Sequence, residues 1–239
     1  MASGSEGRPR AYFLITGEEI LSGRVVDRNS AAVAAWARRA GLEPAWRLTV
    51  GDRLEEIVAG LQFLKERGAD LLFVLGGLGP TADDLTRVAV ARWLGRPLRL
   101  HEESLRWIEE VYRLRGLPLH EEAMGQAYLP KGALPIPNRV GTAPGFMVAA
   151  HPRVVVLPGP PRELLPMEKD VLDFLAREFP SLRPEGEASI FIADYAESAV
   201  ATMAQDVLGS RQGLLWATYV HPGAAGHGRR APRGSWQAR

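Results

Sequence analysis

Short apolar runs alternate with helical patterns in the first part of the chain, and this alternation constrains the fold more than any other feature. Strands are predicted at residues 12–16, 45–50 and 70–75, and helices at residues 29–40, 52–68 and 83–94. The third apolar run is continuous, which is typical of a strand covered on both faces. The order therefore predicts an α/β fold with a doubly wound, mostly parallel sheet.

The rest of the chain predicts the remainder of this domain and a smaller unit. A helix is expected at residues 101–115, a proline- and glycine-rich loop at 130–144, strands at 146–149 and 153–157, and a helix up to residue 177. A small C-terminal β-α-β appendage is expected from a strand at 188–193, a helix at 197–208 and a strand at 214–220. The predicted organisation is a disordered N-terminus at 1–10, an α/β domain at 11–180, the appendage at 185–221 and a disordered tail at 222–239.

Composition excludes several classes of function. The net charge is +1, so nothing in the overall charge favours nucleic acid or an anionic membrane as a partner. The chain has no cysteine, which excludes disulfides, thiolate metal sites and a cysteine nucleophile. No apolar run approaches the roughly 20 residues of a transmembrane helix, and a cytoplasmic protein is expected.

The loop after the third strand combines glycines with acids. Gly76, Gly77 and Gly79 would let backbone N–H groups approach an anionic ligand, and Asp83 and Asp84 follow where a helix is expected to begin. Two carboxylates would repel a bare phosphate, so a divalent cation between them and a phosphorylated ligand is one interpretation. The alternative is helix capping, since Thr81 and Asp84 have the spacing of a cap.

Three loops follow apolar strands and are expected to form one pocket, because the carboxyl ends of parallel strands meet at one edge of the sheet. The first contains Gly17, Glu19 and Asn29, the last of which is alternatively a simple helix cap. The second is the glycine loop with Pro80. The third contains Gly159, Pro160 and Glu163, together with Arg162, whose side chain could reach a phosphate. Thr142 could form another wall of the pocket.

Two nucleotide-binding motifs are discounted. The segment from Gly77 to Ala82 fits a relaxed dinucleotide fingerprint, but Pro80 removes an N–H from the turn and no strand-terminal acid follows at the usual distance. No Gly-Lys-Ser/Thr sequence is present, which excludes a nucleoside-triphosphate P-loop.

Five motifs in this order resemble the molybdopterin-binding-like N-terminal domain of CinA proteins, over roughly residues 12–220. They are Gly17-x-Glu19 with Gly23 and Asn29; Gly76-Gly77-Leu78-Gly79-Pro80-Thr81-x-Asp83-Asp84-Leu85-Thr86; Gln126-Ala127-x-Leu129-Pro130; Gly141-Thr142-Ala143-Pro144-Gly145-Phe146; and Leu157-Pro158-Gly159-Pro160-Pro161-x-Glu163. The wider superfamily resembled includes MogA, MoaB and MoeA. Glu18 and the segment after His221 depart from the family pattern.

The resemblance implies hydrolysis of ADP-ribose, or a related nucleotide diphosphate, to AMP and a sugar phosphate, with Mg²⁺, Mn²⁺ or Co²⁺ as cofactor and K⁺ as a further candidate ion. The alternative it implies is a molybdopterin-binding protein without hydrolytic activity. Dimers or trimers are common in this fold, so a homo-oligomer is expected. The nicotinamide mononucleotide deamidase domain of many CinA proteins is not expected in these residues.

On this hypothesis Asp83, Asp84 and Glu19 are both the catalytic residues and the metal ligands. The substrate-binding residues would be Gly17, Asn29, Gly76, Gly77, Gly79, Pro80, Thr81, Thr142, Gly159, Pro160 and Glu163.

Overall fold

The structure is a computed structural model that describes residues 8–183, 190, 192, 195–209 and 217–218. The chain divides into two units, Met1–Gly186 and Glu187–Arg239. The strands of the first unit are β1 (Arg10–Thr16), β2 (Glu43–Val50), β3 (Leu71–Leu75), β4 (Leu98–Leu100), β5 (Tyr128–Pro130), β6 (Leu134–Ile136), β7 (Gly145–Val148) and β8 (Arg153–Leu157). Its helices are α1 (Glu18–Leu21), α2 (Asn29–Arg39), α3 (Leu54–Glu66), α4 (Thr86–Leu94), α5 (Glu102–Leu114), α6 (Glu121–Gly125), α7 (Pro161–Leu164) and α8 (Glu168–Glu178).

Six strands form the central sheet in the order β2-β1-β3-β8-β7-β6. Strands β2, β1, β3 and β8 are mutually parallel, whereas β7 and β6 continue the sheet in antiparallel orientation. The chain runs from β1 outward to β2 and returns to β3 on the other side of β1, and α2 and α3 pack on opposite faces of the sheet. The predicted doubly wound, mostly parallel α/β fold is therefore confirmed.

Alternate residues of β1 belong to the two cores on either face. Phe13 packs with α2 and α8, where its ring stacks on Phe73 at a centroid distance of 5.4 Å. Its neighbours Tyr12 and Leu14 are fully buried on the α3 and α4 face. Because both faces are covered, residues 11–15 of the strand are all apolar, as the continuous run indicated.

Residues 130–144, predicted as a loop, contain the short strand β6. They also follow the short strand β5, which ends at Pro130. Strand β5 pairs antiparallel with β4, and β6 pairs with β7 at the edge of the central sheet. Each of these strands has three residues and a proline, Pro130 or Pro135. Proline lacks an N–H and is tolerated at sheet edges, so short edge strands are compatible with the composition that suggested a loop.

Two predicted helices begin or continue differently in the structure. The helix expected from residue 83 begins at Thr86, which leaves Asp83 and Asp84 in the preceding loop. The helix expected up to residue 177 is divided into α7, a 3₁₀ turn at Leu165–Met167 and α8. Pro166 lies in that turn, where its missing N–H interrupts the α-helical hydrogen bonds.

The second unit contains helix α9 (Glu197–Leu208), at the residues predicted for the helix of the appendage. The strands predicted at 188–193 and 214–220 fall largely outside the described residues, as do most of the predicted disordered N-terminus and the whole tail at 222–239. Arg10, predicted within the disordered N-terminus, already belongs to β1. Within the described part of the chain, no helix is long and apolar enough to span a bilayer.

Candidate functional site

A cavity of about 560 Å³ lies at the carboxyl ends of β1, β3 and β8. This is the edge of the sheet where the chain reverses its strand order between β1 and β3, and ligands of open α/β sheets bind at such positions. The three loops that were expected to converge do so, since each contributes residues to the lining of this cavity.

Thirteen of the fourteen predicted site residues line the cavity. They are Gly17, Glu19, Asn29, Gly76, Gly77, Gly79, Pro80, Asp83, Asp84, Thr142, Gly159, Pro160 and Glu163. The exception is Thr81, which contacts the site indirectly through Asp84. Arg162, considered as a phosphate ligand, is not among the lining residues.

The glycine loop leaves β3 through two residues in a backbone conformation that favours glycine. Gly76 has φ +105°, and a Cβ there would lie 2.6 Å from the backbone oxygen of Thr16. Gly77 has φ +64°, and a Cβ there would overlap Oγ1 of Thr86 at the start of α4. Both positions therefore require glycine for conformation and for space.

Arg87 is a buried residue that binds the backbone of the same loop. The sequence analysis did not predict this role. Its guanidinium donates hydrogen bonds to the carbonyl oxygens of Leu78 (2.5 Å) and Gly79 (3.3 Å), and the residue is 9% exposed. Burial lowers the pKa of Arg87, and the charge of nearby Asp84 opposes that shift. The signal in the sequence was an arginine near the start of a helix of mainly apolar residues, directly after the glycine loop.

Asp84 and Asp83 differ in their hydrogen bonds. Oδ2 of Asp84 accepts from the backbone N–H of Thr81 at 2.9 Å and from its hydroxyl at 2.6 Å, so this carboxylate closes the turn of the loop. Asp83 is exposed, and its pKa is lowered by the Thr81 side chain and by its own backbone N–H. Neither acid lies in the first turn of α4, so Asp83 remains free to bind a ligand without loss of a helix cap.

Asp52 is a further acid of the cavity, at the residue where the helix at 52–68 was expected to begin. Its Oδ2 instead accepts from the backbone N–H of Glu18 at 2.9 Å, at the start of α1. Partial burial raises the pKa of Asp52, and the charges of Glu19, Asp83 and Asp84 raise it further, against the lowering effect of the Glu18 hydrogen bond. Asp52 follows β2 directly, so the rule that located the other loops applied to it as well.

We call Glu19, Asp52, Asp83 and Asp84 the acidic side of the cavity. All four follow β1, β2 or β3, which are neighbours in the sheet. Within the described residues, no three acidic or imidazole side chains are arranged as a complete metal site. The oxygen donors suit a hard cation such as Mg²⁺, which is usually held by one or two carboxylates and by substrate phosphates. They therefore fit a cation that takes its remaining ligands from the substrate.

Other residues of the cavity lining carry carboxamides, a hydroxyl and prolines. We call Asn29, Gln126, Thr142 and residues 158–161 its neutral side. Nδ2 of Asn29 donates to the backbone oxygen of Gly159 at 2.5 Å, which connects the loop after β1 to the loop after β8. The capping interpretation of Asn29 is wrong, because Oδ1 of Asp27 accepts from the N–H of Ser30 in the first turn of α2.

Glu163 is the only predicted site acid on this part of the cavity wall, and it is engaged by the protein. Its Oε2 accepts from Nδ2 of Asn138 at 2.8 Å, and Nδ2 also donates to the carbonyl oxygen of Ala143. Oδ1 of Asn138 accepts the N–H of Gly141 at 2.6 Å. A Cβ at Gly141 would overlap the Glu163 carboxylate, so this acid orders the loop that presents Thr142.

Comparison with known proteins gives the family. A model of the probable molybdopterin binding domain matches residues 12–177, which is most of the first unit. The chain belongs to this family. A protein of Caldivirga maquilingensis is 37% identical over 218 residues, which cover 89% of this chain and 81% of that protein.

This chain is also similar to CinA-like proteins. A CinA-like protein of Desulfovibrio desulfuricans is 39% identical over 208 residues, or 82% of this chain. The crystal structure of the protein CinA from Thermoplasma acidophilum, described as having unknown function, is 32% identical with a TM-score of 0.64 and covers 70% of this chain and 98% of that one. The chain spans only 48% of the length of the Desulfovibrio protein. It is thus a CinA-like domain of the molybdopterin-binding superfamily.

Proposed function

We propose that the CinA-like domain hydrolyses ADP-ribose, or a related nucleotide diphosphate, to AMP and a sugar phosphate in the cavity described above. The observation that carries the proposal is the acidic side, where four carboxylates line the same cavity as the glycine loop. Burial raises the pKa of Asp52, and the charges of Glu19, Asp83 and Asp84 raise it further. An arrangement of this kind suits a ligand whose negative charge arrives with a cation.

Each part of the cavity would act on a different part of the substrate. One or two of the three acids Asp83, Asp84 and Glu19 would hold a divalent cation together with the substrate, and the cation would neutralise the diphosphate and acidify the attacking water. The N–H groups around Gly77 and Gly79 would bind phosphate oxygens. The cavity volume of about 560 Å³ is within the range of small-molecule sites.

Asp52 is the best placed residue for proton transfer. Its Oδ2 is engaged by Glu18, so Oδ1 would take the proton of the attacking water. The water oxygen forms a bond to one phosphorus, the bridging P–O bond breaks, and its electron pair leaves with the other phosphate. A raised pKa suits a general base, because a carboxylate of ordinary pKa binds a proton too weakly at neutral pH.

The test is incubation of the purified protein with ADP-ribose and Mg²⁺, Mn²⁺ or Co²⁺, followed by chromatography of the products. We expect AMP and ribose 5-phosphate in equal amounts, and none in EDTA. If wild-type protein releases no AMP with any of the three cations, while an established pyrophosphatase does under the same conditions, the proposal is wrong. Tight binding of molybdopterin without cleavage of any diphosphate would instead support a pterin-binding function.

The assembly state and location belong to the same proposal. A homo-oligomer, dimer or trimer, and a cytoplasmic protein remain predictions from the sequence, as does K⁺ as an additional ion. Analytical ultracentrifugation of the full chain would give the oligomeric state directly.

A further inference from the structure

Two buried carboxamides of the cavity share one unusual arrangement. Asn29 is 8% exposed and Gln126 is fully buried. The amide nitrogen of each donates to a backbone oxygen of a cavity loop: Asn29 to Gly159 at 2.5 Å, and Gln126 to Leu78 at 3.4 Å. The amide oxygen of each has no hydrogen-bond partner among the described residues, and no other buried side-chain atom there shares this property.

These contacts also fix which way each amide faces. Rotation of either group by 180° would place its oxygen against a carbonyl oxygen, and two acceptors cannot share a hydrogen bond. The nitrogen therefore faces the loop carbonyl in both residues. The unmatched oxygen atoms, Oδ1 of Asn29 and Oε1 of Gln126, follow from that requirement.

A buried acceptor without a partner destabilises the free protein, so its presence in a cavity wall points to a ligand that supplies the donor. Phosphate oxygens cannot do so, because they are acceptors. Neutral O–H and N–H groups can, and a nucleotide sugar carries them on its riboses and on adenine. The two amide oxygens thus match ribose hydroxyl or adenine N–H groups of such a ligand rather than its phosphate oxygens.

We propose that Gln126, together with Asn29, accepts hydrogen bonds from neutral donor groups of the ligand and determines which nucleotide sugars the cavity selects. This inference rests on the proposed function for the identity of the ligand. It adds a specificity residue that the sequence reasoning did not include. Gln126 also connects the ligand to the glycine loop, because Leu78 accepts from both Gln126 and Arg87.

The experiment compares wild type with Gln126→Met, which keeps the length of the side chain and removes its polar atoms. Binding is measured by calorimetry in Mg²⁺ with α,β-methylene analogues of ADP-ribose, ADP and inosine diphosphate ribose, which resist hydrolysis. We expect about tenfold weaker binding of the ADP-ribose analogue by the variant. Asn29→Leu tests the second carboxamide, and Gln62→Met, on the exposed face of α3, is the matched control.

The three ligands identify the donor. Weaker binding of the two ribose-bearing ligands, with no change for the ADP analogue, assigns the donor to the terminal ribose. Weaker binding of both adenine ligands, with no change for the inosine ligand, assigns it to the adenine amino group. Weaker binding of all three assigns it to the ribose of the nucleoside. Each of these results supports the inference, and equal binding by wild type and Gln126→Met for all three overturns it.

Thermal unfolding of the ligand-free proteins is a second, independent readout. Gln126→Met removes the unmatched acceptor together with the long bond to Leu78, whose carbonyl oxygen keeps Arg87 as its donor. An unmatched acceptor therefore predicts that the variant is at least as stable as wild type, whereas a purely structural glutamine predicts a lower melting temperature. Failure of wild type to bind any of the three ligands contradicts the proposed function. In that case the melting temperatures still decide: a less stable Gln126→Met protein overturns the inference, and an equally or more stable one supports it.

Discussion

The acidic and neutral sides of the cavity differ in how firmly the protein holds their polar groups. On the acidic side, Glu19 and Asp83 are exposed and Asp52 is only partly buried. On the neutral side, Asn29 and Gln126 are buried and each is bound to a loop carbonyl. Solvated carboxylates can adjust to a cation, whereas the carboxamides are already oriented before a ligand arrives. The carboxylates would bind the cation that accompanies the ligand, and the carboxamides would select the ligand.

The largest expected effect comes from the acidic side. Asp83→Asn should lower kcat/KM for ADP-ribose by about 100-fold, because it removes a charged metal ligand from an exposed residue. The melting temperature should not change, and Asp173→Asn, an exposed acid on α8, is the matched control. Activity within twofold of wild type would remove Asp83 from the metal site.

The glycine loop joins the two sides, and its geometry gives the next largest effect. Gly77→Ala should lower the free energy of unfolding in urea by about 2.5 kcal/mol, from backbone strain and overlap with Thr86. Gly116→Ala is the control, because Gly116 has nearly the same φ, +63°, with nothing within 4 Å of the added Cβ. Backbone strain alone should lower the free energy of unfolding of Gly116→Ala by about 1 kcal/mol. Equal losses in the two variants would show that the contact with Thr86 has no energetic role.

Arg87 supports the loop from the protein interior. Arg87→Met should lower the free energy of unfolding by about 2 kcal/mol, because the carbonyl oxygens of Leu78 and Gly79 lose a buried donor. Arg92→Met, on the exposed face of the same helix, should change it by less than about 0.5 kcal/mol, since Arg92 forms only a surface ion pair with Glu55. Urea unfolding of both variants measures the difference.

The smallest effect tests the repulsion on the acidic side. Asp52 has a raised pKa, so its ionised form disfavours the folded state at pH 7, and this penalty fades as the pH falls through that pKa toward the ordinary value of 3.8. Asp52→Asn, which retains an acceptor for Glu18, should stabilise the protein at pH 7 by less than about 1 kcal/mol in EDTA and low salt. The gain should vanish near pH 3. A variant less stable than wild type at pH 7 would contradict the repulsion.

The sequence predicted the sheet and the converging loops because both depend on local patterns. The apolar runs at β1 and β3 specify buried parallel strands, and the strand ends specify the edge where the loops meet. The short strands β5 and β6 could not be predicted in the same way. Their prolines favour loops locally, and only pairing with β4 and β7 makes them strands.

The roles of single side chains were harder to predict than their location. Spacings typical of helix caps occur at Asp52, Thr81 and Asn29. However, Asp52 accepts a hydrogen bond from the N–H of Glu18, and Asn29 donates one to the carbonyl oxygen of Gly159, both far away in the sequence. The carbonyl oxygen of Leu78 accepts hydrogen bonds from Arg87 of α4 and from Gln126, which directly follows α6. A single sequence cannot show such contacts, because they depend on how α2, α4 and α6 are placed against the loops.

The central claim is that the two sides of the cavity bind different parts of one ligand. A crystal structure of the protein with α,β-methylene ADP-ribose and Mn²⁺ tests it most directly, since the anomalous signal of manganese locates the cation. We expect the cation at Asp83 with Asp84 or Glu19, and the diphosphate beside the cation. Ribose or adenine donors should lie within hydrogen-bonding distance of the amide oxygens of Asn29 and Gln126. A diphosphate bound against those amide oxygens, with no manganese at the acidic side, would contradict it.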